Sequence, residues 1–156
     1  MKPLKRVPPA ILVALLILAI SVSGCSPIQL IAPYDQKIDD SVTSLQKKTA
    51  EFLTTIERQG GSGPEDYKNH TKFYDDAKVA LSGLSVRAGA LASNSLTVQE
   101  LEILHQQFQK LETDHRKMGI PQAAVPQYEE AFNRTFTAIL TLEVAKKQPK
   151  AEGAGK

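Results

Sequence analysis

With a single cysteine, at position 25, this chain cannot close a disulfide within itself, so its fold must be held by packing alone. Charge of one sign is missing too. The chain has 19 Lys and Arg against 17 Asp and Glu, but Lys2, Lys5 and Arg6 stand at its N-terminus. Setting those three aside leaves 16 cations against 17 anions. A chain so balanced lacks the positive field that attracts a phosphate backbone, and nucleic acid is not expected as a partner. No run alternates polar and apolar residues between hairpin signals, which argues against strands. The spacings that carry catalysis are absent as well: there is no Gly-x-Ser-x-Gly elbow. Gly60-Gly61-Ser62-Gly63 lacks the Lys and preceding strand of a phosphate loop. With one cysteine, a Cys-x-x-Cys-His haem attachment is impossible.

What is present begins at the N-terminus. Lys2, Lys5 and Arg6 precede an uncharged stretch from Val7 to Val22, in which residues 11–20 are an unbroken apolar run. That run is too short to span a hydrocarbon core of about 30 Å, but it fits the apolar region of a secretory signal. It leads into Val22-Ser23-Gly24-Cys25, an aliphatic residue, two small residues and then the lone cysteine. The pattern resembles the lipobox of bacterial lipoproteins. The resemblance implies that Val22, Ser23 and Gly24 are read by lipoprotein signal peptidase, that residues 1–24 are removed, and that Cys25 Sγ carries a diacylglyceryl group. At roughly 0.8 kcal/mol per buried CH₂, two or three acyl chains anchor a protein stably without a membrane-spanning segment. No other cofactor is expected. Ser26 after the lipidated position implies transfer to the outer membrane, on its periplasmic face.

Residues 25–33 read as the lipidated N-terminus and a short tether with Pro27 and Pro33 near its ends. Four helical segments follow within 34–145, and 146–156 read as a disordered polar tail. The first helix, 34–58, has Ile38, Val42, Leu45, Thr49, Phe52 and Ile56 at alternating spacings of four and three. The second starts near Pro64, with Ser62 and Glu65 set for a capping box, and carries Tyr67, His70, Tyr74, Ala77, Leu81 and Leu84 on one stripe. The third opens on a capping box at Thr97-Val98-Gln99-Glu100, runs through Leu101, Leu104, Phe108, Leu111, His115 and Met118, and ends at Gly119. The fourth starts between Pro121 and Pro126 and is lined by Val125, Tyr128, Phe132, Phe136, Ile139 and Leu142. Short connections make neighbouring helices antiparallel, so the expected fold is an all-α, up-and-down four-helix bundle.

Several residues invite a chemical reading. Glu102-x-x-His105 and Glu112-x-x-His115 have the spacing of di-iron bundle motifs, but both lie on one helix, whereas such a site draws them from two. Glu51, Glu57, Glu129, Glu130 and Glu143 fall off the apolar stripes, and no metal site is expected. His70 and His115 read as half-solvated residues at the edge of the core. The small residues Ser82, Gly83, Ser85, Ala88, Gly89, Ala90 and Ala92 read as a close helix contact inside the bundle, with a smooth docking face as the alternative. Facing Phe108, Phe132 and Phe136, they would also leave room for a small ligand.

The chain as a whole resembles small helical envelope lipoproteins of Gram-negative bacteria. The reading is a non-enzymatic lipoprotein, anchored to the membrane by lipid, whose bundle binds or scaffolds an envelope protein. Two alternatives stay open: a bundle holding a small ligand, lipid or metal, and a surface-exclusion lipoprotein of the phage or plasmid type.

Overall fold

The computed structural model describes residues 31–147. Asp35, in extended backbone, opens the first helix: its carboxylate accepts the backbone N–H groups of Lys37 and Ile38 at 2.9 and 3.2 Å, which satisfies two of the donors a helix N-terminus leaves unpaired. From that cap α1 runs Gln36–Arg58. All six of its expected stripe residues are buried, together with Leu53. Gly60 turns the chain at φ +80° into β1, Gly61–Ser62. A 3₁₀ helix, Pro64–Asn69, leads to α2, Thr71–Gly89, and then α3, Ser95–Met118. Gly119 separates α3 from β2, Ile120–Pro121, which a 3₁₀ turn at Gln122–Ala124 joins to α4, Val125–Lys146.

The helices alternate in direction. Asp35 at the start of α1 pairs with Arg87 at the end of α2, and Asp39 in the first turn of α1 pairs with Lys147 just past α4. Thr97 in the first turn of α3 meets Glu143 in the last turn of α4. The fold is therefore the expected all-α antiparallel four-helix bundle, with α1 and α3 diagonal to each other. Its longest helix, α3 with 24 residues, spans about 36 Å at 1.5 Å per residue. The core fills with Leu81, Leu101, Leu104, Phe132, Phe136 and their neighbours.

Four local expectations need correction. The Ser62–Glu65 capping box does not form: Gly63 stands at the cap without a side-chain bond, and the first turn winds as 3₁₀. The cause is a two-residue antiparallel ladder in which Ser62 pairs with Ile120 and Gly61 with Pro121. This ladder holds Ser62 extended and turns its hydroxyl inward. The third helix starts two residues earlier than its expected capping box, at Ser95 after Asn94, so Thr97 lies inside the helix and is buried. Met118, expected on the stripe, is exposed. The small residues of α2 do not make a close helix contact: Gly83 and Gly89 face open space and only Ala88 is buried.

At the other end of the bundle, Ala32 is buried and its N–H donates to the Ser93 carbonyl at 3.1 Å. The last residues of the expected tether are thus fixed against the α2–α3 turn. Lys146, placed in the polar tail by sequence, belongs to α4.

Candidate functional site

Val22, Ser23, Gly24 and Cys25, the residues assigned by sequence to processing and lipidation, lie outside the described residues. Within the bundle, polar chemistry gathers at two buried clusters, one at each end.

The first surrounds His115 in the last turn of α3, which is fully buried. Its Nε2 shares a 2.8 Å hydrogen bond with Ser62 Oγ, and its Nδ1 shares another of 2.8 Å with the Tyr74 hydroxyl. A neutral imidazole has one N–H donor and one acceptor, and a hydroxyl can serve either, so both ring nitrogens are satisfied in either tautomer. The rings of Phe52, Tyr67, His70 and Tyr74 stand 5.4 to 6.1 Å from the His115 ring, centroid to centroid. Above them, Tyr67 and Lys78 donate to Glu112 Oε1 at 2.8 and 2.7 Å. Burial alone would raise the Glu112 carboxyl, but the bonds from Lys78 and Tyr67 outweigh it and hold it below its usual range.

The Ser62–His115 distance is that of a serine nucleophile and its base. The surroundings point elsewhere. Both residues are buried, and the third member is a tyrosine whose hydroxyl burial pushes well above its ordinary value, so that it stays neutral. A neutral phenol does not stabilise an imidazolium as a buried carboxylate does. The arrangement instead ties three segments together: β1, α2 and the end of α3.

Burial also holds the His115 imidazole below its ordinary pKa; nearby His70 pushes the same way and Asp66 opposes. Such a group is protonated more readily in the unfolded chain. Stability is then lost as pH falls below the unfolded value of about 6.5, and the loss ends once the folded value is passed. Urea midpoints are expected to fall as pH drops through the unfolded value of about 6.5, and NMR titration of the histidine ring signals is expected to show His115 taking up its proton at lower pH than a free imidazole. Carboxylates held low by partners, such as Asp35 by Arg87 and Asp39 by Lys147, lose their contribution only below about pH 4. A midpoint that rose on acidification would contradict the assignment.

The second cluster lies where the described chain enters. Glu143 is fully buried, which corrects its expected place off the stripe. It forms an ion pair with Lys146, whose side chain is also buried. The Lys146 ammonium further donates to Asn94 Oδ1 at 2.6 Å and Thr97 Oγ1 at 2.9 Å, and Thr97 donates to Glu143 Oε1 at 3.2 Å. Asn94 closes the set by donating to the Ala88 carbonyl at 2.9 Å. Only Glu143 Oε2 is left without a partner. The cluster joins the α2–α3 turn to the end of α4.

The remaining candidates separate. His70 is half-buried, with its ring edge-on to Phe52 at 5.3 Å, as expected of a core-edge residue. The same expectation fails for His115. His105 interacts with Gln109 on the surface of α3, away from His115. Phe108, Phe132 and Phe136 pack on one another, with centroids 4.7 and 6.2 Å apart. Because the small face of α2 points outward, it does not face these rings, and the alternative of a ligand slot between the two finds no such geometry among the described residues. Among the described residues, no group of three or more His, Cys, Asp or Glu is placed to hold a metal ion, and no helix is long and apolar enough to cross a membrane.

Sequence could have found Glu143 and Thr97. Spacings of four and three from Phe132 run through Phe136 and Ile139 to Glu143 and Lys146. The same rhythm on α3 runs from Thr97 through Leu101, Leu104, Phe108 and Leu111 to His115. Comparison of the chain with protein-family models, with curated proteins and with solved structures finds no match in any of the three.

Proposed function

We propose that this chain is a lipid-anchored bacterial envelope lipoprotein whose bundle acts as a non-enzymatic interaction or scaffolding module close to the membrane, on the periplasmic face of the outer membrane. The observation that carries the reading is Val22-Ser23-Gly24-Cys25 at the end of a charged and then apolar N-terminus, with the cysteine the only one in the chain. A lone thiol at a lipobox has an acceptor role for lipid and no partner for a disulfide. The bundle supports the non-enzymatic part. Its one serine–histidine pair is buried, with both ring nitrogens held by neutral hydroxyls, and its two polar clusters serve to join helix ends. The near balance of charge beyond residue 24 supports a protein partner over nucleic acid.

Cys25→Ser tests the reading. In cells supplied with radiolabelled palmitate, the wild-type chain is expected to take up label and float with the outer membrane. The variant takes up none, stays at precursor size and keeps the helical circular dichroism of the bundle. An unlabelled wild-type chain, or a variant still cut before residue 25, would overturn the proposal.

A further inference from the structure

Large apolar side chains on the surface of this bundle are unevenly placed. Of the eight exposed ones among the described residues, five sit at the end where the chain enters: Ile31, Val86, Leu96, Val98 and Val144. Val86 belongs to the last turn of α2, Leu96 and Val98 to the first turn of α3, and Val144 to the last turn of α4. Ile31 and Leu96 border one shallow cavity at this tip. The opposite end exposes one such residue, Met118.

Most of the charge at the entry end is paired. At the entry end the acidic groups of the cap and terminal turns, Asp35, Asp39 and Glu143, are each neutralised in an ion pair, with Arg87, Lys147 and Lys146. Lys37 is exposed beside them. At the opposite end unpaired charges of both signs mix: Glu57, Glu65, Asp66, Arg58, Lys68, Arg116 and Lys117 are in no ion pair among the described residues. The entry end thus offers apolar side chains beside charges that are largely paired, with Asp40 exposed there and in no ion pair among the described residues. Apolar side chains so placed can settle into a headgroup layer.

We propose that the entry end of the bundle rests on the bilayer itself, with Leu96 and Ile31 in the headgroup and upper acyl region and the bundle axis standing away from the membrane. This rests on the reading of Cys25 as the lipid anchor. The occupant follows from the length of chain available: Cys25 precedes Ile31 by six residues, at most about 20 Å of backbone. A lipid held at Cys25 therefore brings this end, and no other, to the membrane surface. The Ala32–Ser93 bond and the Asp35–Arg87 pair keep that end from swinging free of the tether.

The chain contains no tryptophan, so one introduced indole gives one signal. Leu96→Trp and Met118→Trp each replace an exposed residue, and circular dichroism checks that each folds. Full-length lipidated protein, purified from membranes, is reconstituted into phosphatidylethanolamine–phosphatidylglycerol vesicles carrying brominated acyl chains. The L96W probe is expected to lose roughly half its emission to shallow bromines, as a side chain buried 5–10 Å into the interface does. The M118W probe is expected to keep its emission. If the protein floats with the vesicles but neither probe is quenched, the anchor reading stands and the contact is refuted. If the L96W probe is shielded from iodide yet untouched by bromine, protein covers that end and the proposal falls. Failure of the wild-type chain to float would remove the anchor reading and the contact with it.

Discussion

Gly119→Ala is expected to destabilise the bundle by about 3–5 kcal/mol, a large share of the stability of a domain this size. Gly119 closes α3 at φ +81° and ψ −176°, a region that only glycine populates and that costs other residues about 1–3 kcal/mol. Space is lacking as well. A Cβ on Gly119 overlaps the Ser62 carbonyl oxygen and lies 2.9 Å from Gly63 Cα. Both obstacles are backbone, so no rotamer change relieves them. Room can be made only by parting β1 from β2, which would also stretch the Ser62–His115 bond and leave a buried imidazole nitrogen unpaired, at about 1–3 kcal/mol. Gly83→Ala and Gly89→Ala are the controls. Both glycines are helical and face open space, so each change is expected to stabilise by about 0.5–1 kcal/mol. Urea unfolding of the three variants measures the contrast. A Gly119→Ala variant within 1 kcal/mol of wild type would mean that the loop crossing is loose and that Ser62 is not a fixed partner of His115.

This contrast marks where the sequence was legible. The four helices follow from apolar residues three and four apart, because a bundle core is selected by that rhythm and little else. Pro126 in the first turn of α4 and Gly119 after α3 could be read for the same local reason. What could not be read was pairing between distant segments. The Ser62–Glu65 box is a sound local pattern, but the ladder with Ile120, 58 residues away, takes the serine for other use. Local spacing also leaves open whether a polar residue on a stripe finds a buried partner. His115 does, through Ser62 and Tyr74; Glu143 does, through Lys146 and Thr97. In both cases hydrophobicity alone argued for the surface, and the helical rhythm, followed strictly, argued for the core. The small residues of α2 failed in the opposite sense. Glycine and alanine fit a close contact, but they also fit a face with no neighbour, and composition does not distinguish the two.

Lys146→Met is expected to cost about 3–5 kcal/mol at neutral pH, because it leaves a fully buried carboxylate without its counter-ion. In the native bundle Glu143 Oε1 is held by Lys146 and Thr97, and Oε2 already has no partner. Removing the ammonium leaves one neutral hydroxyl to offset the desolvation of a charge. It also strips Asn94 Oδ1 of its donor. Replacing both partners, Glu143→Leu with Lys146→Met, removes the charge that made the single change costly, so the double variant is expected to regain most of the loss. It does not regain all of it, since Asn94 keeps its bond to the Ala88 carbonyl but not the one at Oδ1. A double-mutant cycle on urea midpoints should give a coupling energy of about 2–3 kcal/mol, at the upper end for neighbouring residues. Additive losses would mean that the two side chains are solvated separately and that the end of α4 frays from α3. An ion pair that apolar residues could replace at little cost adds little net stability. Its contribution is to alignment: Asn94 in the turn, Thr97 in the first turn of α3 and Lys146 in the last turn of α4 can meet only in one register of α3 against α4. That register sets the tip where Ile31 and Leu96 border one shallow cavity, so the double variant is expected to keep most of its stability while the emission of an L96W probe broadens.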